Sequence, residues 1–373
     1  MIRLYDRYIF SRWLRAFLIT FGVVSLLLLM ERMYDDLWDL VNYGASFREG
    51  MLYFLWIMPH WVPILMPAAV LVSSLLILIQ MHSKREIVAL RAAGVRTFKI
   101  TRSLWAAGIL CAGGLFLLNG WVIPSSVDAA NLLLRNIEFR AAESAGDKPQ
   151  DIGTVDQLAF ANELGGRLWF FDQFNTRSYT AQGAHIYLTN TERQLIAHTE
   201  AREAFFDDST KTWTFIDGST LYYGERGETS GMRIETFDTW IPQNFREDPE
   251  TMLALSRRPK DLSFKALRRL LATEELKSSP ALAPFRARMQ QVWVSPVMIL
   301  VVIGLAIPFA LRGIRTNPMV GVSQAIFVFF FYYMLINAFT VLGAREVMTA
   351  QHSAWAPHGL MALVALFLNI RRV

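Results

Sequence analysis

Leu104-Trp-Ala-Ala-Gly-Ile-Leu-Cys-Ala-Gly-Gly-Leu-Phe-Leu-Leu-Asn-Gly-Trp-Val-Ile123 carries no charge over its whole length, and Pro124 follows it. A lipid-spanning helix needs about 20 mainly apolar residues, so this stretch reads as a membrane span. Working outward, similar runs lie near Trp13 to Met30 and Leu52 to Met81 on its N-terminal side. On its other side a mostly polar insert of about 140 residues, 124–262, and a connecting stretch, 263–290, precede Val292 to Leu311, Met319 to Leu342 and Ala354 to Ile370. The layout is three spans, a polar insert and three more spans. Composition agrees: 53% hydrophobic residues, 11 Trp, 26 Phe and a mean hydropathy of +0.28 are too apolar for a soluble fold of 373 residues. The first run has no small-residue cleavage site after it and is read as a retained span.

Orientation follows from Lys and Arg near the span ends. Arg3, Arg7, Arg12 and Arg15 precede the first span, and Lys84, Arg85, Arg91, Arg96, Lys99 and Arg102 follow the second. Arg312 and Arg315 follow the fourth, and Arg371 and Arg372 end the chain. The alternate loops are poor in basic residues, so both termini are expected in the cytoplasm and the insert outside. The net charge of +5 then signals topology, and no nucleic-acid partner is expected. Cys111 is alone and forms no intrachain disulfide.

The insert changes period. Leu168-Trp-Phe-Phe-Asp-Gln-Phe174, His185–Leu188, Trp213–Ile216, Leu221–Tyr223 and Met232–Phe237 are short and aromatic or β-branched. Gly165-Gly166, Asp207–Thr210, Asp217-Gly218 and Gly224–Gly227 read as the turns between them. Many short strands without helices favour a sandwich or jelly roll. Its aromatics, with Phe170 taken as facing inward, form either a core or a cleft for acyl chains, core being the commoner outcome. Ser125 to Ala142 reads as a helix leaving the third span, and Phe264 to Glu275 as an amphipathic helix. The expected architecture is an α-helical membrane protein with six transmembrane helices and an inserted β domain. Residues 1–123 hold three spans, 124–262 the β domain, 263–290 a connecting helix and 291–373 the last three spans.

Two features in the first half carry functional readings. Pro59, Pro63 and Pro67 each remove a backbone donor from the second span, which makes a hinge or a fixed bend. Ser83-Lys-Arg-Glu-Ile-Val-Ala-Leu-Arg-Ala-Ala-Gly94 reads as a short helix with a Ser83–Glu86 capping box and Gly94 past its end. Ile87, Leu90 and Ala93 or Gly94 give it a narrow apolar stripe, suited either to the membrane surface or to a groove in a partner. His185 and His198 lie on separate strand-like segments, and no catalytic triad, metal-ligand spacing or cofactor motif occurs. No G-x-x-x-x-G-K-[ST] phosphate loop is present either, so the chain is not expected to hydrolyse ATP.

Asp6-Arg-Tyr-Ile9, the Pro59–Pro67 span, Ser83-x-x-Glu-Ile-Val-Ala-Leu-Arg-Ala-Ala-Gly94, Gly321-Val-Ser323 and Trp355-Ala-Pro357-His358 together resemble the LptF/LptG (YjgP/YjgQ) family of lipopolysaccharide export permeases. The resemblance covers essentially the whole chain and leans towards LptG. It implies a bacterial inner-membrane half-transporter with a periplasmic β-jellyroll. It further implies a paralogous permease partner, a cytoplasmic LptB-like ABC ATPase dimer, and periplasmic LptC-like and LptA-like jellyroll proteins. Energy would enter through a coupling helix containing Glu86, Ile87, Leu90, Arg91 and Gly94. Arg32 matches the family's basic residue at the outer end of the first span, where it either balances neighbouring Glu31 or Asp35 or binds a lipid A phosphate bidentately. The family's closely spaced arginines after the third span have no match, since Arg135 and Arg140 are spaced differently. A permease for another lipid or lipoprotein, or an envelope scaffold, would share this layout.

Overall fold

A computed structural model describes residues 4–144, 154–162, 165–190, 192, 194–223, 232–245, 247–260, 262–272, 279–311 and 318–372. The expected turn at Gly224–Gly227 and the basic pair Arg312 and Arg315 lie outside them. The chain divides into two compact units, Met1–Asn131 with Arg286–Val373, and Leu132–Phe285.

The first unit is helical. Helix α1 (Leu4–Asn42) is followed by α2 (Phe47–Ile57), a 3-10 turn over Met58–Trp61, and α3 (Val62–Ser83). Then come α4 (Glu86–Ala92), α5 (Thr97–Leu117), a π-helical turn over Leu118–Val122 and α6 (Ile123–Ser144), whose residues from Leu132 on are assigned to the second unit. With rises of 1.5 Å per residue, the apolar helix Tyr5–Asn42 is about 57 Å long, so it overruns a hydrocarbon core of about 30 Å. That overrun carries Arg32 and Asp36 beyond its apolar stretch.

Five helices among the described residues are long and apolar enough to cross a membrane, and a bent pair passes the same test when its two helices are taken together. Helices α7 (Pro249–Ser256) and α8 (Phe264–Ala272) belong to the second unit. The bent pair is α9 (Ala283–Val294) and α10 (Val297–Ala310), which meet at 56° across Ser295-Pro296. Helices α11 (Pro318–Ala344) and α12 (Ala350–Arg372) complete the unit. The expected span Val292–Leu311 is thus broken near its start. Pro296 has no N–H, so the carbonyl of Val292 loses its helical partner. Asn119, in the π-helical turn and buried, replaces it: its Nδ2 donates to Val292 O at 3.0 Å and to Ser295 Oγ at 2.9 Å. Two interrupted helices are therefore pinned to each other at their irregular points.

Helix α10 forms the centre. From Met298 to Ala310 every residue but Leu300 is buried, as expected of a helix that is apolar all round. Ile9, Trp13, Leu71, Leu78, Leu104, Ile303 and Tyr332 pack into the same core.

The second unit contains one six-stranded antiparallel sheet in sequence order: β1 (Thr154–Asn162), β2 (Arg167–Asn175), β3 (Thr180–Thr189), β4 (Leu195–Asp207), β5 (Thr212–Tyr222) and β6 (Arg233–Trp240). Helices α7 (Pro249–Ser256) and α8 (Phe264–Ala272) follow it. Strands β2 and β5 stand three places apart, about 14 Å in a flat sheet. Yet the rings of Trp169 and Trp213 are 5.2 Å apart, and those of Phe171 and Trp213 5.6 Å. The sheet is rolled upon itself.

A crease explains how the strands bend. Gln157, Asp172, Gly183, Arg202, Asp217 and Asp238 face one another in a row across all six strands, each skipped by the regular pairing. Gln157, Gly183 and Asp217, on alternate strands, have φ of 55°, 64° and 54°. The inward side chains change parity there: Ala201 and Ala204 of β4 are both buried, as are Phe171 and Phe174 of β2. Asp217-Gly218, expected to be a turn, therefore lies inside one long strand, and the segments Trp213–Ile216 and Leu221–Tyr223 are two halves of β5. Phe170 faces away from the core, against the His185 ring at 6.4 Å, whereas Trp169 and Phe171 are fully buried.

Candidate functional site

The short helix α4 is built differently from the expectation. Ser83 is still the last residue of α3, and its hydroxyl donates back to Ile79 O at 2.6 Å. The capping box does not form; Arg85, left-handed at φ 59°, occupies the N-cap without a side-chain bond. The apolar α3 simply runs one residue too far for Ser83 to leave the helix. The C-terminal end is as expected. Gly94 at φ 80° donates to Arg91 O and Val95 N–H to Leu90 O, a Schellman closure. A capping box of the same spacing does form at Ser46 and Glu49, ahead of α2.

Helix α4 turns its apolar stripe inward. Ile87 is buried in the core of the membrane unit, and Leu90, half-buried, packs against it. Ala89, Arg91, Ala92 and Gly94 are exposed. Glu86 is turned towards α1, where Arg12 Nη1 lies 3.6 Å from its Oε1. Arg12 also donates to Tyr8 Oη at 2.5 Å and to Gln80 Oε1 at 3.1 Å. Nearly two turns earlier in α1, Asp6 accepts from both Arg102 Nε and Nη2 of α5. These contacts join the first helix, the end of α3, α4 and the start of α5 into one charged knot. Arg12 and Arg102 are the residues a reading by span ends counts only as topology markers.

Arg32 lies near the other end of α1. Its Nε is 2.6 Å from Asp36 Oδ2, one helical turn on, although the N–H does not aim at that oxygen. Nη2 donates to Tyr53 Oη at 3.4 Å, and Tyr53 donates to the same Asp36 oxygen at 2.6 Å. The partner is thus Asp36, not Glu31 or Asp35. Arg32 also borders a recess of about 10 Å³ with Leu28, Trp61 and Leu65, room for one water. An anion reaching this guanidinium competes with Asp36.

Of the three prolines, Pro59 lies in the 3-10 turn, Pro63 in the first turn of α3 and Pro67 inside α3. The first two stand where a helix start leaves N–H groups without partners, so their missing donors cost little.

In the second unit the aromatics behave as core. Trp169, Phe171, Phe174, Trp213 and Phe215 have no exposure at all. Phe245 and Met252 plug the roll, and Glu247, 4% exposed, pins that segment through Arg167 Nε at 2.5 Å and Asn162 Nδ2 at 2.9 Å. His198 stacks on Tyr187 at 4.3 Å and on His185 at 5.7 Å. Burial, then the neighbouring His185, holds its pKa below the ordinary 6.5.

The family model for "Lipopolysaccharide export system permease LptF/LptG" matches residues 7–371. The chain belongs to the LptF/LptG family. A relative, the lipopolysaccharide export system permease protein LptG of Haemophilus influenzae (strain Rd), is 22% identical over 269 residues, 72% of this chain and 70% of its own. As an LptF/LptG permease the chain is a membrane-spanning transport component, not a catalytic one.

Proposed function

We propose that this chain is one permease half of an ATP-driven exporter. In this reading it extracts lipopolysaccharide from the outer leaflet of a bacterial inner membrane and passes it to a periplasmic β-jellyroll bridge. Both termini face the cytoplasm, residues 124–262 face the periplasm, and a paralogous permease completes the membrane cavity. A cytoplasmic LptB-like ATPase dimer supplies the energy, since the sequence has no phosphate loop of its own.

The single observation that carries the mechanism is the knot around Glu86. Movement of α4 by a motor subunit reaches α1 directly through Arg12 and, by Asp6–Arg102, the start of α5. Displacement of α1 at its basic end changes the cavity that α1 borders, and Arg32 stands near the opposite end of the same helix. There a lipid A phosphate exchanges with the Asp36 carboxylate for the guanidinium. Extraction exposes acyl chain at about 0.8 kcal/mol per CH₂, so the lipid must travel along apolar surface. Trp169, Trp213 and Phe215 fill the middle of the β roll, and exposed apolar residues such as Leu168 and Ile234 are the accessible contacts. Strands β1 and β6 each pair on one side only among the described residues, which leaves edges for LptC-like and LptA-like neighbours to extend.

The test is photo-crosslinking in the assembled complex with probes at Leu28, beside Arg32, and at Leu168. Lipopolysaccharide adducts at Leu28 without nucleotide, and at Leu168 only with ATP, are expected. Absence of adducts at both positions overturns the export reading.

A further inference from the structure

The membrane unit holds a second and much larger cavity, which neither Arg32, Arg12 nor Glu86 lines. It is about 560 Å³ in volume and is walled by Trp105 of α5, Val301 and Ile307 of α10, and Ala362 and Leu366 of α12. That volume lies within the roughly 300–1,000 Å³ of sites that hold small ligands. Small side chains create it: Gly304 and Ala365 leave α10 and α12 without bulk where they meet. Asn369 Nδ2 ties the two helices together there, donating to Gly304 O and Ala365 O, each at 2.7 Å.

We propose that this groove binds one acyl chain of an anionic phospholipid, with the lipid phosphate held at the basic ends of α5 and α12. The helices are membrane spans, so the groove faces hydrocarbon. A helical occupant is excluded by size: 15 Å of helix, at about 10 Å across, fills about 1,200 Å³. An acyl chain fits. At the mouth, Thr97 and Phe98 in the first turn of α5 and Asn369 near the end of α12 line the cavity. Arg96 and Lys99 flank the first pair and Arg371 follows Asn369 by two residues; all three are exposed. The Arg371 guanidinium lies 5.9 Å from the Phe367 ring. No acidic residue occurs in α5, α10 or α12. Exposed cations on helices without acidic residues, beside an apolar slot, match a phosphate followed by a hydrocarbon tail; Asp6 of α1, a carboxylate that reaches α5, is already paired with Arg102. The lipid thus comes from the leaflet on the basic side of the membrane. The inference rests on the spans alone, and stands or falls separately from the export reading.

The experiment places the full chain, in its complex, in phosphatidylcholine nanodiscs doped with phosphatidylglycerol bearing a photoactivatable acyl chain. A parallel sample carries phosphatidylcholine bearing the same chain. Adducts on α5, α10 and α12 are mapped by mass spectrometry. Phosphatidylglycerol should label these helices well above phosphatidylcholine, and Ala362→Trp, which fills the slot, should remove that label. Lys99→Ala, on the exposed surface, should cut the headgroup preference about fivefold while the phosphatidylcholine signal stays. Equal labelling by both lipids, or labelling that survives Ala362→Trp, overturns the proposal. So does the absence of label from the assembled complex, which would mean that protein covers the groove. Neither result depends on transport activity.

Discussion

Exchanging the charges of Arg12 and Glu86 separates an internal linkage from a purely external one. The two side chains are 15% and 29% exposed and 3.6 Å apart. At an effective dielectric of 20, their attraction is about 4–5 kcal/mol. Desolvation and the ordering of two long side chains offset most of that, leaving a net coupling of about 1 kcal/mol. Arg12→Ala should cost more than Glu86→Ala, because it also loses the bond to Gln80 at 3.1 Å. Two readouts apply to the assembled complex: thermal unfolding in detergent, and ATP-dependent release of lipopolysaccharide. Each single change should uncouple ATP turnover from release. The double variant Arg12→Glu with Glu86→Arg should recover most of the coupling, because the pair is rebuilt inside one chain. The reasoning is refuted if Arg12→Ala leaves release intact while Glu86→Ala abolishes it, with no interaction in the double-mutant cycle. Glu86 would then act on the motor subunit alone, and α1 would take no part in receiving the stroke.

Three further outcomes follow from the packing. Asn119→Leu strips Ser295 Oγ and one lone pair of Val292 O of their donor, although the Ser295 hydroxyl still reaches Val292 O at 2.9 Å; the loss should be about 1–2 kcal/mol, read as a lower unfolding temperature in detergent. Gly183→Ala puts a methyl on a residue at φ 64° and into the Asp172 carboxylate, so the β unit should lose at least about 1–2 kcal/mol; unchanged hydrogen exchange across β2 and β3 would remove the crease from the account. Because the folded His198 pKa is lowered, the folded sheet binds fewer protons than the unfolded chain. Its contribution is intact above about pH 6.5 and falls as pH drops through that value, so exchange in β3 and β4 should quicken at pH 5, and His198→Gln should flatten the dependence. Glu200, which opposes the shift, and Asp172, 3.9 Å from His185, are the carboxylates nearby, and neither alters that sign.

What the sequence discloses and what it withholds divide along a physical line. Apolar run lengths depend only on the solvent a segment faces, so the spans, the β insert and the layout could be read directly. Local patterns were legible only where no longer-range force competed. Ser46-Phe-Arg-Glu49 and Ser83-Lys-Arg-Glu86 carry the same spacing, yet only the first is a capping box. Before Ser46, Gly44 at φ 69° has already ended a helix; before Ser83, the buried run of α3 has not. Asp217-Gly218 is a turn pair by composition, but a strand that must bend around a core uses the same left-handed freedom in its middle.

The pairings that matter most for function join residues far apart in sequence, and no periodicity announces them. Pro296 declares that Val292 O has lost its helical donor; nothing local says that Asn119 supplies one. The stripe of Ile87 and Leu90 announces burial, but an amphipathic pattern is silent about whether the covering surface belongs to another protein or to the same chain. Here the same chain covers Ile87, and this changes what α4 can do under the proposed function. A helix that merely docks in a motor subunit can be pulled away without effect on the spans. One whose apolar side is sunk in the core, and whose first carboxylate is paired with α1, must carry α1 with it or break both contacts. The burial of Ile87 leaves Ala89, Arg91 and Ala92 as the exposed side of α4, the surface on which a motor subunit would push under the proposed function.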